Sequence, residues 1–133
     1  MLKELRLEDS APWKQRYRAP AIFASQIAPS LPTKGILADN RNGTLQWYAW
    51  DIASNGLQPI TDTPGGHSSF LTLSPDGQWV YYLDDKQGNE IGHYVRKPVD
   101  GGDLQDITPD LPLYSSFGFS ISRSGNRIGL MTA

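Results

Sequence analysis

The segment Leu71-Thr72-Leu73-Ser74-Pro75-Asp76-Gly77-Gln78-Trp79-Val80-Tyr81-Tyr82-Leu83 returns 48 residues later as Phe119-Ser120-Ile121-Ser122-Arg123-Ser124-Gly125-Asn126-Arg127-Ile128-Gly129-Leu130-Met131. Each copy sets a tight polar turn between two apolar, alternating runs. Self-similarity at roughly 40–50 residues with this pattern is the signature of β-propeller blades of about four strands. The expected fold is all-β: an incomplete β-propeller of about two and a half four-stranded antiparallel blades, led by a short N-terminal extension. Ala133 falls at the end of the second strand of a third repeat, and closed propellers take typically four to eight blades. The chain is therefore expected to be the opening portion of a larger molecule, with its third blade truncated.

The organisation expected along the chain is an extension over 1–20, a first blade over 21–62, a second over 63–109 and the start of a third over 110–133. Leu2 to Asp9 reads as a short amphipathic helix stopped by Asp9-Ser10-Ala11-Pro12. In the first repeat, strands are expected at Ile22 to Ile27, Gly35 to Asp39, Leu45 to Ile52 and Leu57 to Ile60. In the second they are expected at Phe70 to Leu73, Trp79 to Leu83, Glu90 to Lys97 and Leu104 to Ile107. The intervening turns are Ser74-Pro75-Asp76-Gly77, Asp85-Lys86-Gln87-Gly88 and Asp100-Gly101-Gly102. Pro75 supplies the fixed φ of a turn's second position and Gly77 tolerates positive φ. The two fuller repeats align Asp39 with Asp84, Asn42-Gly43 with Gln87-Gly88, Tyr48 with Tyr94 and Leu57 to Thr61 with Leu104 to Thr108. The offset drifts only from 45 to 47 residues, as expected when loop tips absorb length changes. Near-continuous apolar runs such as Trp79 to Leu83 are expected where a blade is covered on both faces.

A net charge of −2 with 20% charged residues, and no basic stripe, gives no electrostatic reason to expect nucleic acid or an anionic membrane surface. The chain has no cysteine, which removes disulfides and thiolate metal sites and is compatible with a reducing compartment. Met1 to Pro20 holds no continuous apolar segment, so neither signal peptide nor membrane span is expected there. The expected compartment is cytoplasmic.

Candidate chemistry is sparse. His67 and His93 are the only histidines and stand 26 residues apart, without the further ligands a metal site needs. Asp84, Asp85, Glu90, Asp100, Asp103, Asp106 and Asp110 do not follow calcium-loop spacing; turn chemistry and solubility account for them. Asp39 and Asp84 are expected to cap the turns that follow their strands. The aromatics Trp47, Tyr48, Trp50, Trp79, Tyr81, Tyr82 and Tyr94 fall at repeat-matched strand positions, which favours packing between repeats over a stacking platform for sugars or bases. Trp13 to Pro20 mixes three cations with two large aromatics, and packing across a surface is the preferred reading.

Ala11-Pro12-Trp13-Lys14-Gln15-Arg16-Tyr17-Arg18-Ala19-Pro20, together with Tyr81-Tyr82-Leu83-Asp84-Asp85-Lys86-Gln87-Gly88-Asn89-Glu90-Ile91-Gly92-His93-Tyr94, resembles the N-terminal propeller region of prolyl oligopeptidase-family serine peptidases, close to the acylaminoacyl-peptidase type. The Ser-Pro-Asp-Gly turn alone is shared with many TolB-like and WD40-like propellers. The resemblance implies a parent with a C-terminal α/β-hydrolase domain, in which the propeller admits only short or unstructured peptides. The family's nucleophile elbow needs Gly-x-Ser-x-Gly, followed by an acid and a histidine. Gly66-His67-Ser68-Ser69-Phe70 lacks the second glycine and has no helix after it, so no catalytic residue is expected in this chain, and no cofactor or metal residue either. The expected function is a non-catalytic gate whose partners are the rest of its own propeller, the hydrolase domain and peptide substrates, with self-association if the chain is made alone. The alternative is a TolB-like module for protein–protein interaction.

Overall fold

The computed structural model describes residues 4–67, 69–85 and 89–133. It is built almost entirely of antiparallel strands: β1 (Ile22–Ile27), β2 (Lys34–Asp39), β3 (Gln46–Asp51), β4 (Gly56–Pro59), β5 (Thr72–Leu73), β6 (Trp79–Asp85), β7 (Ile91–Pro98), β8 (Gln105–Asp106), β9 (Tyr114–Ile121) and β10 (Ile128–Thr132). The first four form one meander, β1-β2-β3-β4; the rest form a second sheet in the order β10-β9-β7-β6-β5, with β8 also on β7. Strands thus stand where the repeat pattern predicts them in both repeats, although β5 and β8 are only two residues long. The expected turn at 86–88 and Ser68 lie outside the described residues.

The extension departs from expectation. None of residues 4–9 is helical; the single α-helix among the described residues, α1, runs Pro12–Arg18. Proline at the first helical position has the right φ and no amide to leave unbonded, whereas an eight-residue helix over Leu2 to Asp9 would be marginal without a packing partner. Leu5 and Leu7 indeed remain exposed. The lead-in is instead held by α1 side chains: Trp13 Nε1 donates to the Arg6 carbonyl (2.5 Å) and Gln15 Nε2 to that of Asp9 (3.1 Å).

Alternation along each strand sends successive side chains to opposite faces. Ile36, Ala38, Trp47 and Ala49 of the first sheet meet Leu71, Leu73, Val80, Tyr82 and Val95 of the second in one buried cluster. Full burial of a side chain such as Ile36, Leu71 or Val80 stabilises by about 1.5–3 kcal/mol, so this cluster outweighs any single turn. On the far face of the second sheet, Tyr81 and Tyr94 stack on Phe119 of β9 at 5.3 and 4.7 Å. Strand β9 begins on the edge of β7, with Ile91 opposite Ser115 and Gly92 opposite Tyr114, and by Phe119 it lies against the face of the sheet. The middle repeat is therefore covered on both faces, which explains its unbroken apolar run.

Three of the hairpins, β1–β2, β5–β6 and β9–β10, are closed by a similar pair of backbone bonds. Ser74 N–H donates to Trp79 O (2.8 Å) and Gly77 N–H to Ser74 O (3.0 Å); Ser122 N–H donates to Arg127 O (2.9 Å) and Gly125 N–H to Ser122 O (2.8 Å). The two glycines have φ of 73° and 74°. Each serine hydroxyl accepts the amide that opens the return strand, Trp79 N–H at 2.9 Å and Arg127 N–H at 3.1 Å. In the first repeat Ala28 N–H donates to Lys34 O (2.9 Å) and Leu31 N–H to Ala28 O (3.1 Å), the same closure made without a serine or a glycine. Neighbouring tips touch: Ser30 N–H donates to Pro75 O at 2.9 Å, and a Cβ on Gly77 would lie 3.1 Å from Ala28 Cβ and 3.2 Å from Lys34 Cβ.

On the face of the first sheet away from the cluster, Leu37 stands opposite Tyr48 and Asp39 opposite Gln46. Asp39 is 1% exposed and is paired with Arg41 through Nε (2.7 Å) and Nη2, while its Oδ1 accepts the Arg41 amide (3.1 Å). Burial pushes this carboxyl up, but the hydrogen bonds and charge of Arg41 outweigh it and hold the group below its ordinary value. Arg41 also lies over the Tyr48 ring at 4.9 Å.

Two stability measurements follow from this packing. Gly77→Ala should cost about 1–2 kcal/mol, the strain of an L-residue in the left-handed region added to the crowding at Ala28, whereas Gly65→Ala, with nothing within 4 Å, should stay within about 0.5 kcal/mol. Equal denaturation midpoints for the two would refute the tip contact. Arg41→Ala should cost about 1–2 kcal/mol near neutral pH, because the carboxylate loses a charged donor whose guanidinium is itself 38% exposed and partly screened, and more than Asp39→Asn. A carboxyl held low in the folded state stabilises above its ordinary value and loses that contribution as pH falls through the lowered one. Denaturation curves should therefore show Arg41→Ala converging on the parent protein on acidification; a gap that widens would overturn the assignment.

Candidate functional site

The turns just described occupy one end of the strands, and the chemistry gathers at the other. There β6 ends, β7 begins, and the connections into β5 and β9 arrive. Between them lies a half-open cavity of about 440 Å³ lined by Ser69, Phe70, Leu83, Asp85, Glu90, Tyr94 and Ser115 to Phe117. Asp85 organises one wall. Its Oδ1 accepts the Ser69 hydroxyl (3.3 Å) and its Oδ2 the Glu90 amide (3.0 Å). That bond helps to hold Glu90 at φ 60°, a conformation uncommon for a residue with a side chain. Across the cavity, Ser116 Oγ donates to Tyr94 Oη at 3.2 Å. Phe70 and Phe117 project at the rim, more than 60% exposed, with Phe70 edge-on to Trp47 at 5.6 Å. Carboxylates, hydroxyls and two rings suit the binding of a hydrogen-bond donor with an apolar body.

A second cavity of about 280 Å³ lies at the hairpin end between the two sheets. Lys34 bridges it, 3.7 Å from Asp51 and 3.7 Å from Asp100. It serves as a strut between repeats.

The two histidines are separate and differently placed. His67 packs edge-on to Tyr82 at 5.0 Å. Burial pushes its pKa down, with Asp85 and Asp84 opposing, and burial raises the Tyr82 phenol to about 12. His93 instead has Nδ1 2.6 Å from Asp106 Oδ2 and stacks on Tyr114 at 5.6 Å. Its pKa is raised, chiefly by the hydrogen bond to Asp106. Among the described residues no group of three or more His, Asp or Glu side chains is arranged to hold a metal.

Of the Gly66 to Phe70 stretch, Ser68 lies outside the described residues, and Ser69 and Phe70 lead into β5. Ser69 donates to the Asp85 carboxylate, where an activated nucleophile would donate to a histidine. Asp39 caps the turn after β2 and Asp85 accepts the Glu90 amide after β6; the amides that Asp84 is expected to cap lie outside the described residues. Leu37 pairs with Tyr48 and Leu83 with Tyr94, so strand register aligns Asp39 with Asp85, and Asp84, beside His93, is exposed. Of the aromatic set, Trp47, Tyr48, Tyr81, Tyr82 and Tyr94 are buried and Trp79 lies under the Arg96 guanidinium at 4.2 Å, so these side chains are engaged in packing. The cavity itself escaped the sequence reading; its one signal was Asp85 closing β6 as Asp39 closes β2.

Compared with protein-family models and with curated proteins, the sequence matches none. No helix among the described residues is long and apolar enough to cross a membrane.

The two imidazoles should titrate on opposite sides of the ordinary histidine value of about 6.5, His67 below and His93 above. Proton NMR of the ring resonances, assigned with His67→Gln, checks this; coincident titrations would contradict the burial of one and the pairing of the other.

Proposed function

We propose that this chain is propeller wall: its repeats are blades of an incomplete β-propeller of about two and a half blades, belonging to a prolyl oligopeptidase-family serine peptidase of the cytoplasm. In this reading it carries no chemistry of its own and restricts which peptides reach a hydrolase domain elsewhere in the parent protein. The observation that supports it most is the recurrence of one hairpin construction three times, with neighbouring tips in contact and the middle repeat covered on both faces, as radial repetition requires. The family-like segments around Pro12 and Tyr81 supply the peptidase half of the proposal. A TolB-like module holding a protein partner is the second reading, favoured by the exposed Phe70 and Phe117 at the cavity rim.

An antibody raised against this chain separates the two. The peptidase reading expects the polypeptide captured from the source cells to take a fluorophosphonate label and to cleave short peptides but not folded proteins. A captured polypeptide that takes no label, in a lysate whose other serine hydrolases do, would overturn it.

A further inference from the structure

Strand register aligns Tyr48 with Tyr94, and therefore Trp47 with His93. In the first repeat the Trp47 indole Nε1 donates to Ser69 O at 3.2 Å, tying β3 to the connection that enters β5. An indole N–H is a permanent donor. In the second repeat the matching position faces the connection that enters β9, but its side chain is an imidazole, which has a second N–H only when charged.

The surroundings of His93 are arranged around that difference. Nδ1 is taken by Asp106 of β8. Nε2 is buried and makes no hydrogen bond to the described residues. The backbone of Leu111 and Pro112, in the connection itself, favours the charged ring, and Nε2 is the ring nitrogen left without a partner among the described residues. The other ionisable groups facing the ring are Asp84, its register partner on β6, and the Tyr114 phenol of β9 stacked upon it. The same network continues through Tyr114, whose hydroxyl accepts the Tyr94 amide (2.8 Å) and shares a hydrogen bond with Thr108 (2.8 Å).

We infer that His93 is a proton-operated latch on the β8–β9 connection: the charged ring spans Asp106 and the carbonyls of residues 111–112, and the neutral ring releases the latter. Ser115 to Phe117, which line the larger cavity, follow directly from the latched segment, so release loosens one cavity wall. A base held above its ordinary value in the folded state contributes fully below that ordinary value and loses the contribution as pH rises through the raised one. The latch is thus closed in acid and opens as pH rises through that raised value.

Hydrogen exchange on the whole chain tests this, corrected for the intrinsic pH dependence of exchange and run beside the NMR titration of His93. The amides of Ile107 and Leu111, bonded to Tyr94 O and Thr108 O, should lose protection several-fold as His93 deprotonates. Amides within β2 should hold theirs. His93→Gln should abolish the pH step and His67→Gln should retain it. Protection over 107–114 that ignores the His93 titration, or that falls equally in β2, overturns the latch in the parent protein alone, whether or not His93→Gln folds.

Discussion

Two twisted sheets that pack face to face diverge at their edges, and something must hold the edges without a shared ladder. Gln26 does this. Its carboxamide donates to Leu71 O at 2.6 Å and accepts the Leu73 amide at 2.9 Å, so one side chain stands in for a strand between β1 and β5. The position of the cluster below follows from it. Were β5 free to slide by one residue, Leu71 and Leu73 would turn away from Ile36 and Trp47, since a one-residue slip reverses every side chain. A two-residue strand has too few ladder bonds to fix its own register; the amide supplies the missing two.

The hairpins solve the same problem at the other boundary. Ser74 and Ser122 satisfy the return-strand amides within their own hairpins, and the first tip meets the second through Ser30 N–H and Pro75 O. Ala28 cannot do this with a hydroxyl, and the first hairpin is correspondingly one residue longer. Glycine is favoured where the turn enters the left-handed region and where Ala28 and Lys34 would crowd a Cβ, both of which are true at Gly77.

These arrangements were legible in the sequence to unequal degrees. Strand placement was readable because alternation and turn residues act locally: β1 through β4 stand within about a residue or two of their predicted spans. The helix was not. A weak apolar period over Leu2 to Asp9 suggested one, and the physical decision was made by Pro12, which favours starting there, and by the lack of a surface for Leu5 and Leu7. The Asp39–Asp84 alignment failed by one position because sequence offsets of 45 and 46 are nearly indistinguishable where the turn length is unknown, while strand pairing admits only one. The cavity was invisible for another reason. Its lining comes from three separate stretches, around Ser69, from Leu83 to Tyr94 and around Ser116, and only the approach of β9 to β7 brings them together.

The division of labour between the two ends of the strands has a physical basis. At the hairpin end each tip contacts the next, so a change in one tip must be matched in its neighbours, and Ser74 and Ser122 hold the same bonds. At the far end equivalent positions differ in chemistry: Asp39 is sealed by Arg41, Asp85 lines a cavity, Trp47 holds its connection with a fixed donor and His93 faces its own with a titratable one. Loops carried by a repeated scaffold are where binding residues accumulate. An end that is free to vary, yet supported by strands buried on both faces, is where this fold can acquire a function without losing its register.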